Sequence, residues 1–259
     1  MSTAPVGIID SGLGGLTILK EIQHQLPHES LRYLGDTANC PYGTRSADDI
    51  YRLSHSMING LVEDGVKAVV IACNTISVTS IQQLRADFPD LPIVGTAPAI
   101  KPAAAISANR RIGILSTVAT ANSPYQARLI AEFAADCDVL NLGTNELVPR
   151  IERGAFATEL PAVLPDVLRP FQEAQVDVLV LGCSHYPILR EEIQAILGDG
   201  VTVLDSGAAI ARQLFRVLVR QGIEAPTDSR PDHLIVTTAD SPTLPSMIER
   251  LGIKMTVRV

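Results

Sequence analysis

A chain of 259 residues is long enough for one large domain or two smaller ones. It is 46% hydrophobic, carries a formal charge of −7 and has a mean hydropathy of +0.22. No apolar run reaches the length of a membrane span, and Arg110-Arg111 is the only adjacent basic pair, which argues against direct nucleic-acid binding.

The N-terminal stretch MSTAPVGIID has no charged start and no cleavage site, so a cytoplasmic location is the default expectation. Residues 6–10 (VGIID) read as a buried strand, 11–15 (SGLGG) as a turn, and 16–25 as a helix with apolar residues at helical spacing. A second strand is expected over 31–34, then a loop (GDTANCPYGTRS). Ser46 is placed to cap a helix running to about residue 64. The third strand, 68–72, runs into Cys73, and a helix follows from Thr75 to about residue 88. A short strand over 93–95 leads to a helix over 100–108 and a strand over 112–115. A loop with Thr117, Thr120 and Ser123 opens a helix over 125–135. A strand over 139–142 and helices over 147–154 and 160–174 precede a strand over 178–181, which leads into Cys183. Helix 188–197, strand 201–204, helix 208–220, strand 234–238, helix 244–251 and a terminal strand 254–257 complete the pattern.

Strands alternating with helices specify an α/β fold with mostly parallel sheets. The strands are unbroken apolar runs, as strands covered on both faces require. Two internal echoes suggest two related halves. KAVVIACNTIS (67–77) and VDVLVLGCSHY (176–186) each run an apolar strand into a cysteine, and DSG occurs at 10–12 and again at 205–207. Breaks near 96–99 and at 205–207 divide the chain into a first domain of residues 1–97 plus 208–259 and a second of 98–207. The ligand site is then expected in the cleft between them.

Of the four cysteines, Cys40, Cys73, Cys137 and Cys183, none forms a CxxC pair. A structural disulfide is not expected in a reducing compartment. Nor is a zinc site, because only Cys183 and His185 lie close in sequence and two more ligands are not evident. Cys73 precedes a helix, whose N-terminus lowers a thiol pKa, and Cys183 has a similar setting. Each alone reads more readily as a buried core cysteine. As a matched pair, each followed by polar residues (Asn74-Thr75, Ser184-His185), they suit proton removal at one face of a carbon and delivery at the other. His185 also suits a cysteine nucleophile, or is an ordinary polar loop residue. Asp10 is placed to accept a proton from Cys73, to hold an ammonium group, or simply to start the turn. Gly12, Gly14 and Gly15 match neither the dinucleotide nor the P-loop spacing, and read as letting backbone approach a small ligand. Tyr42-Gly43 reads as a turn, and Cys40 and Cys137 as structural.

Taken together the motifs resemble the glutamate racemases. They are DSGLGG (10–15), DTANCPYG (36–43), ACNT (72–75), PAIKPA (98–103), Thr117 with Thr120, VPRIE (148–152), GCSHYP (182–187) and DSG (205–207), in order along nearly the whole chain. The resemblance implies a two-domain α/β cleft enzyme that racemises glutamate without cofactor or metal and supplies D-glutamate for peptidoglycan. It implies Cys73 and Cys183 as the two acid/bases, the first serving D-glutamate and the second L-glutamate. Asp10 would assist Cys73; Glu152 and His185 would assist Cys183. Asp10, Ser11, Tyr42, Gly43, Asn74, Thr75, Ser184 and His185 would hold the substrate, with Thr117 and Thr120 lining the cleft, and a homodimer is implied.

Ser184 stands where the family usually has Thr, which keeps the hydroxyl, and Thr96-Ala97 replace the Val-Glu or Val-Val pair common in relatives. Few residues precede the first strand, whereas relatives activated by a cell-wall precursor carry a longer extension. The competing readings are an aspartate racemase of the same superfamily, a cysteine hydrolase built on Cys183 and His185, and a non-catalytic amino-acid-binding protein. The hydrolase leaves Cys73 unexplained, and the binding protein leaves both thiols without a role.

Overall fold

The computed structural model describes residues 1–254 and the backbone of Thr256 and Val257. Its strands form two wholly parallel sheets, the α/β class that the sequence specifies. In chain order the strands are β1 Val6–Asp10, β2 Leu31–Gly35, β3 Ala68–Ile71, β4 Ile93–Gly95, β5 Arg111–Ser116, β6 Asp138–Gly143, β7 Val178–Gly182, β8 Thr202–Leu204, β9 His233–Thr237 and β10 Thr256–Val257. The larger sheet has the order β10-β9-β2-β1-β3-β4, and the smaller has β6-β5-β7-β8. The expected terminal strand 254–257 includes Met255, which lies outside the described residues. Among those described, no helix is long and apolar enough to cross a membrane.

Every residue of β1, β3 and β7 is buried, because these strands sit centrally or next to the centre with cover on both faces. β6, at an edge, is only half-buried and carries Asn141 within it. Alternate residues separate into two layers, as the two-residue repeat of a strand demands. Val6 and Ile8 of β1, Val70 of β3 and Leu179 and Leu181 of β7 share one core that runs between the two sheets. Ile9, Val69 and Ile71 face an outer layer with Ile50, Ile58 and Leu61 of helix Ala47–Glu63. Val178 and Val180 face another with Ala103 and Ala104 of helix Ile100–Ile106.

Phe171 of helix Leu160–Glu173 is fully buried in the shared core, its ring against Gly113 of β5 where any side chain would clash. Phe171→Ala is expected to destabilise the fold by about 3–5 kcal/mol through the cavity it leaves. Urea unfolding measures this, and a loss under about 1 kcal/mol would mean that the site collapses freely.

Two boundaries depart from the sequence expectation. The segment after Cys183 does not enter an α-helix directly but makes a tight 3₁₀ turn, Tyr186–Leu189, before helix Arg190–Leu197. Pro187 occupies that turn and supplies no backbone N–H. The loop at Thr117 contains a short helix, Val118–Ala121, because the Thr117 hydroxyl accepts from the Thr120 N–H and caps it.

Candidate active site

Asp10 closes β1, while Cys73 follows β3 by two residues and Thr117 and Cys183 directly follow β5 and β7. All four therefore stand at carboxyl ends of central parallel strands, where open α/β sheets bind ligands. Cys73 and Cys183 line one cleft with Ser11, Tyr42, Gly43, Asn74, Thr75, Thr117, Ser184 and His185. Pro41 and Val148, which lie within the motifs DTANCPYG and VPRIE without being named as site residues, line it as well, as does Asn145, which no motif contains. Asn145 was hidden because it sits on a connection without a motif; its Oδ1 accepts from the Val118 N–H at 3.4 Å. Asp10, Glu152 and Thr120 do not line the cleft. They stand behind it: Thr120 Oγ1 is 3.0 Å from Thr117 Oγ1 and 3.5 Å from Thr75 Oγ1. Thr120 is thus a buttress for two lining hydroxyls rather than a wall of the cleft.

The cleft is closed. Its free space is about 10 Å³, the room of a single water. Hydrogen bonds span it, with Thr75 Oγ1 3.1 Å from Thr117 Oγ1 and Ser184 Oγ donating to Asp10 Oδ2 at 3.0 Å. A larger cavity of about 370 Å³ lies elsewhere, between Lys20, Glu21, Arg190 and Arg250, and holds none of the sequence-derived site residues.

On one side, Cys73 Sγ has Ser11 Oγ at 3.5 Å as its side-chain partner. The expectation that the helix start lowers this thiol does not hold. Burial, with the charge of Asp10 nearby, pushes it up to about 12, although Ser11 and the Ile76 N–H at the helix start pull the other way. Desolvation of a 4% exposed thiolate outweighs the helix end. Asp10 reaches this thiol by its charge; its own hydrogen bonds come from the Gly12 N–H at 3.0 Å and from Ser184.

On the other side, Cys183 Sγ lies 3.9 Å from His185 Nδ1, and His185 Nε2 lies 2.5 Å from Glu152 Oε1. The Leu13 N–H donates to the same Oε1 at 2.7 Å. Burial disfavours a charged imidazole, but hydrogen bonds to Cys183, Cys40 and Glu152 outweigh it, so His185 is held well above its ordinary value. The glycines of the first turn serve this arrangement rather than a ligand. A Cβ on Gly14 would collide with the His185 ring, and one on Gly12 with Glu152 Oε1 and with Cys40 Sγ. Cys40, expected to be structural, stands against His185 and Glu152, and burial pushes its thiol up to about 11.

Two features suit the cleft to a ligand that accepts hydrogen bonds. Asn74 Nδ2 is buried without a partner among the described residues, a donor aimed at nothing in the protein. Helix Asn74–Asp87 starts there, and its first N–H groups have no intrahelical acceptor.

Asp10 is fully buried, and burial raises its carboxyl despite the opposing charge of His185 and the bonds from Ser184 and Gly12. A group whose folded pKa is raised stabilises the fold at pH below its unfolded value, near 3.8, and loses that contribution as pH rises through the folded value. Ionisation of this side chain is therefore a strain on the fold. Asp10→Asn is expected to raise the urea midpoint at neutral pH and lower turnover. An unchanged midpoint would show that burial of the charge costs the fold nothing.

A family model described as Asp/Glu/Hydantoin racemase matches residues 6–214. Glutamate racemase of Deinococcus radiodurans is 44% identical over 253 residues, covering 96% of this chain and 87% of the relative. That of Ralstonia pickettii is 42% identical over 251 residues, covering 96% and 88%. Among solved structures, glutamate racemase isoform RacE1 from Bacillus anthracis superposes with a TM-score of 0.86 at 31% identity, covering all of this chain and 97% of that one. The Escherichia coli glutamate racemase, solved with L-glutamate and the activator UDP-MurNAc-Ala, superposes with a TM-score of 0.85 at 34% identity, covering 99% and 98%.

Proposed function

The chain belongs to the Asp/Glu/hydantoin racemase family, and from that premise we propose that it interconverts L- and D-glutamate by proton transfer between its own two thiols. The observation that carries this reading is that Cys73 and Cys183, from different sheets, line one closed cleft. The thiolate of one removes the α-proton, and the thiol of the other gives a proton to the opposite face. After one turnover the first sulfur holds a proton and the second is a thiolate, ready for the reverse reaction. His185 Nδ1, backed by Glu152 at Nε2, is placed to exchange a proton with Cys183; Ser11 and the helix start favour the thiolate of Cys73.

An α-proton is far less acidic than a thiol, so negative charge developing on the substrate carboxylate needs donors fixed in advance. Asn74 Nδ2, the free N–H groups at the start of its helix and the hydroxyls of Ser11, Thr75 and Ser184 are the donors at hand. A space that holds one water does not hold glutamate, so the two sides part to admit it and close again to exclude water. The division into domains 1–97 plus 208–259 and 98–207 belongs to the same proposal, with the strands grouped in two sheets as its support. So do the cytoplasmic, dimeric state and the supply of D-glutamate to peptidoglycan that the resemblance implies.

The test follows L-glutamate by circular dichroism in D₂O. The ellipticity is expected to decay to zero, with deuterium entering the α-carbon of the product. Decay without deuterium would exclude exchange through the thiols, and activity confined to aspartate would remove the substrate assignment.

A further inference from the structure

Cys40 has no part in the proposed proton transfer, yet it stands beside the groups that serve it. Its sulfur, a carboxylate oxygen of Glu152 and a ring nitrogen of His185 lie within 4.8 Å of one another, the only such three-residue group among the described residues. They arrive from three separate places: the loop after β2, the end of helix Leu147–Glu152 and the turn after β7. Sequence spacing therefore gave no sign of them, and the expectation of no zinc site considered only Cys183 and His185.

Thiolate, imidazole and carboxylate form a donor set suited to zinc, which takes Zn–S bonds of about 2.3 Å and Zn–N and Zn–O bonds of about 2.0–2.2 Å. Three protein ligands with a fourth position left open is a known zinc arrangement. Bonds of that length set donor atoms about 3.5 Å apart around a tetrahedral ion. The His185–Glu152 pair, now at 2.5 Å, then opens by about 1 Å, while Cys40 Sγ already lies within 4.8 Å of both. The shared space exists because residue 12 is glycine: a Cβ there would meet both Glu152 Oε1 and Cys40 Sγ. Cys40 and Glu152 are partly exposed, which gives an ion a way in, while His185 is buried behind them.

We propose that Cys40, Glu152 and His185 form a binding site for a thiophilic divalent cation such as zinc, and that filling it switches off racemisation by taking His185 and Glu152 from Cys183. The switch rests on the reading of His185 as the partner of Cys183; the binding site does not. A cation on Nε2, the nitrogen that faces Glu152, leaves the remaining ring proton on Nδ1, so His185 can no longer take a proton from Cys183, and it neutralises the Glu152 carboxylate.

Full-length protein, dialysed against a chelator, is titrated with Co²⁺ and separately with Zn²⁺. The expected result is one Co²⁺ per chain with a thiolate-to-cobalt charge-transfer band, erased by Zn²⁺, and inhibition by Zn²⁺ that chelator reverses. Cys40→Ala and Cys40→Ser are expected to lose the band. Each is expected to need about 10–100-fold more Zn²⁺ for half-inhibition, measured against its own metal-free rate, since even outer-sphere partners contribute that much to metal affinity. A band that persists in both variants, or zinc inhibition unchanged in both, overturns the site and puts the ion on Cys73 and Cys183. Absence of the band in the unaltered protein overturns it whatever the racemase assay reads. An intact band in a protein that does not racemise glutamate overturns the proposed reaction, and the switch with it, while the metal site stands.

Discussion

Cys73→Ala and Cys183→Ala are each expected to lower racemisation of glutamate by at least about 10³-fold in both directions, within the 10²–10⁴-fold that a positioned acid or base contributes. The symmetry follows from reversibility. The thiol that gives a proton in one direction is the base in the other, so removing either blocks both. Stability is expected to change little, because each variant removes one small buried side chain. The two substitutions differ in what they leave. In Cys183→Ala, Cys73 still removes and returns a proton on its own face. Deuterium from D₂O then enters one enantiomer without inversion, D-glutamate under the assignment that the resemblance implies. Cys73→Ala leaves the opposite enantiomer exchanging. Full racemisation in either variant would end the two-base reading, and exchange into both enantiomers in one variant would show that a second group shares the work.

The pH dependence of the half-reaction that Cys73 starts follows from its burial. A thiol pushed up to about 12 is neutral through the physiological range. Its thiolate fraction therefore climbs with pH, and so does the rate of deprotonation it begins. For stability the sign is opposite. The raised thiol contributes stability that is complete below its unfolded value, near 9, and is lost as pH rises towards 12. Loss of structure at alkaline pH is thus expected to be shallower in Cys73→Ala.

The apolar runs made β1, β3 and β7 legible, since a strand buried on both faces has no polar residue to interrupt it. The matched cysteines were legible for the same reason: a polar pair after such a run has no structural purpose. What spacing did not carry is everything that depends on approach between distant segments. Glu152 is marked in the sequence only by a motif resemblance. Its contact with His185 lies across 33 residues of sequence, and with Leu13 across 139. Gly12 and Gly14 looked like ligand cradles because only the fold reveals that Glu152 and the His185 ring fill the space a Cβ would take. The direction of the Cys73 shift does not follow from sequence, because a helix start is visible there and the depth of burial is not. Cys40 looked structural because its neighbours arrive from 112 and 145 residues away.

Glu152→Gln is expected to lower turnover about 10²-fold in both directions, at the lower end of what an acid/base contribution spans, with a smaller change in KM. Gln has the same length and can still accept from the Leu13 N–H, which bonds Oε1 at 2.7 Å, so the chain path is kept. What is lost is the charge. Burial disfavours a charged His185, and Glu152 helps offset it both by its hydrogen bond and by its charge. Without that charge His185 titrates at lower pH, which NMR of the imidazole protons measures directly. A buttress that only filled space would leave that titration unmoved, so this shift separates electrostatic positioning from packing. Stability is expected to move in step. A raised His185 stabilises the fold at pH below its unfolded value, near 6.5, and that contribution persists at neutral pH until the folded value is passed. Removing the partner therefore lowers the urea midpoint at neutral pH and narrows its advantage at acid pH. Normal turnover with a shifted imidazole titration would show that Cys183 does not depend on His185 charge. An unshifted titration with low turnover would place the role of Glu152 in the geometry of the first turn instead.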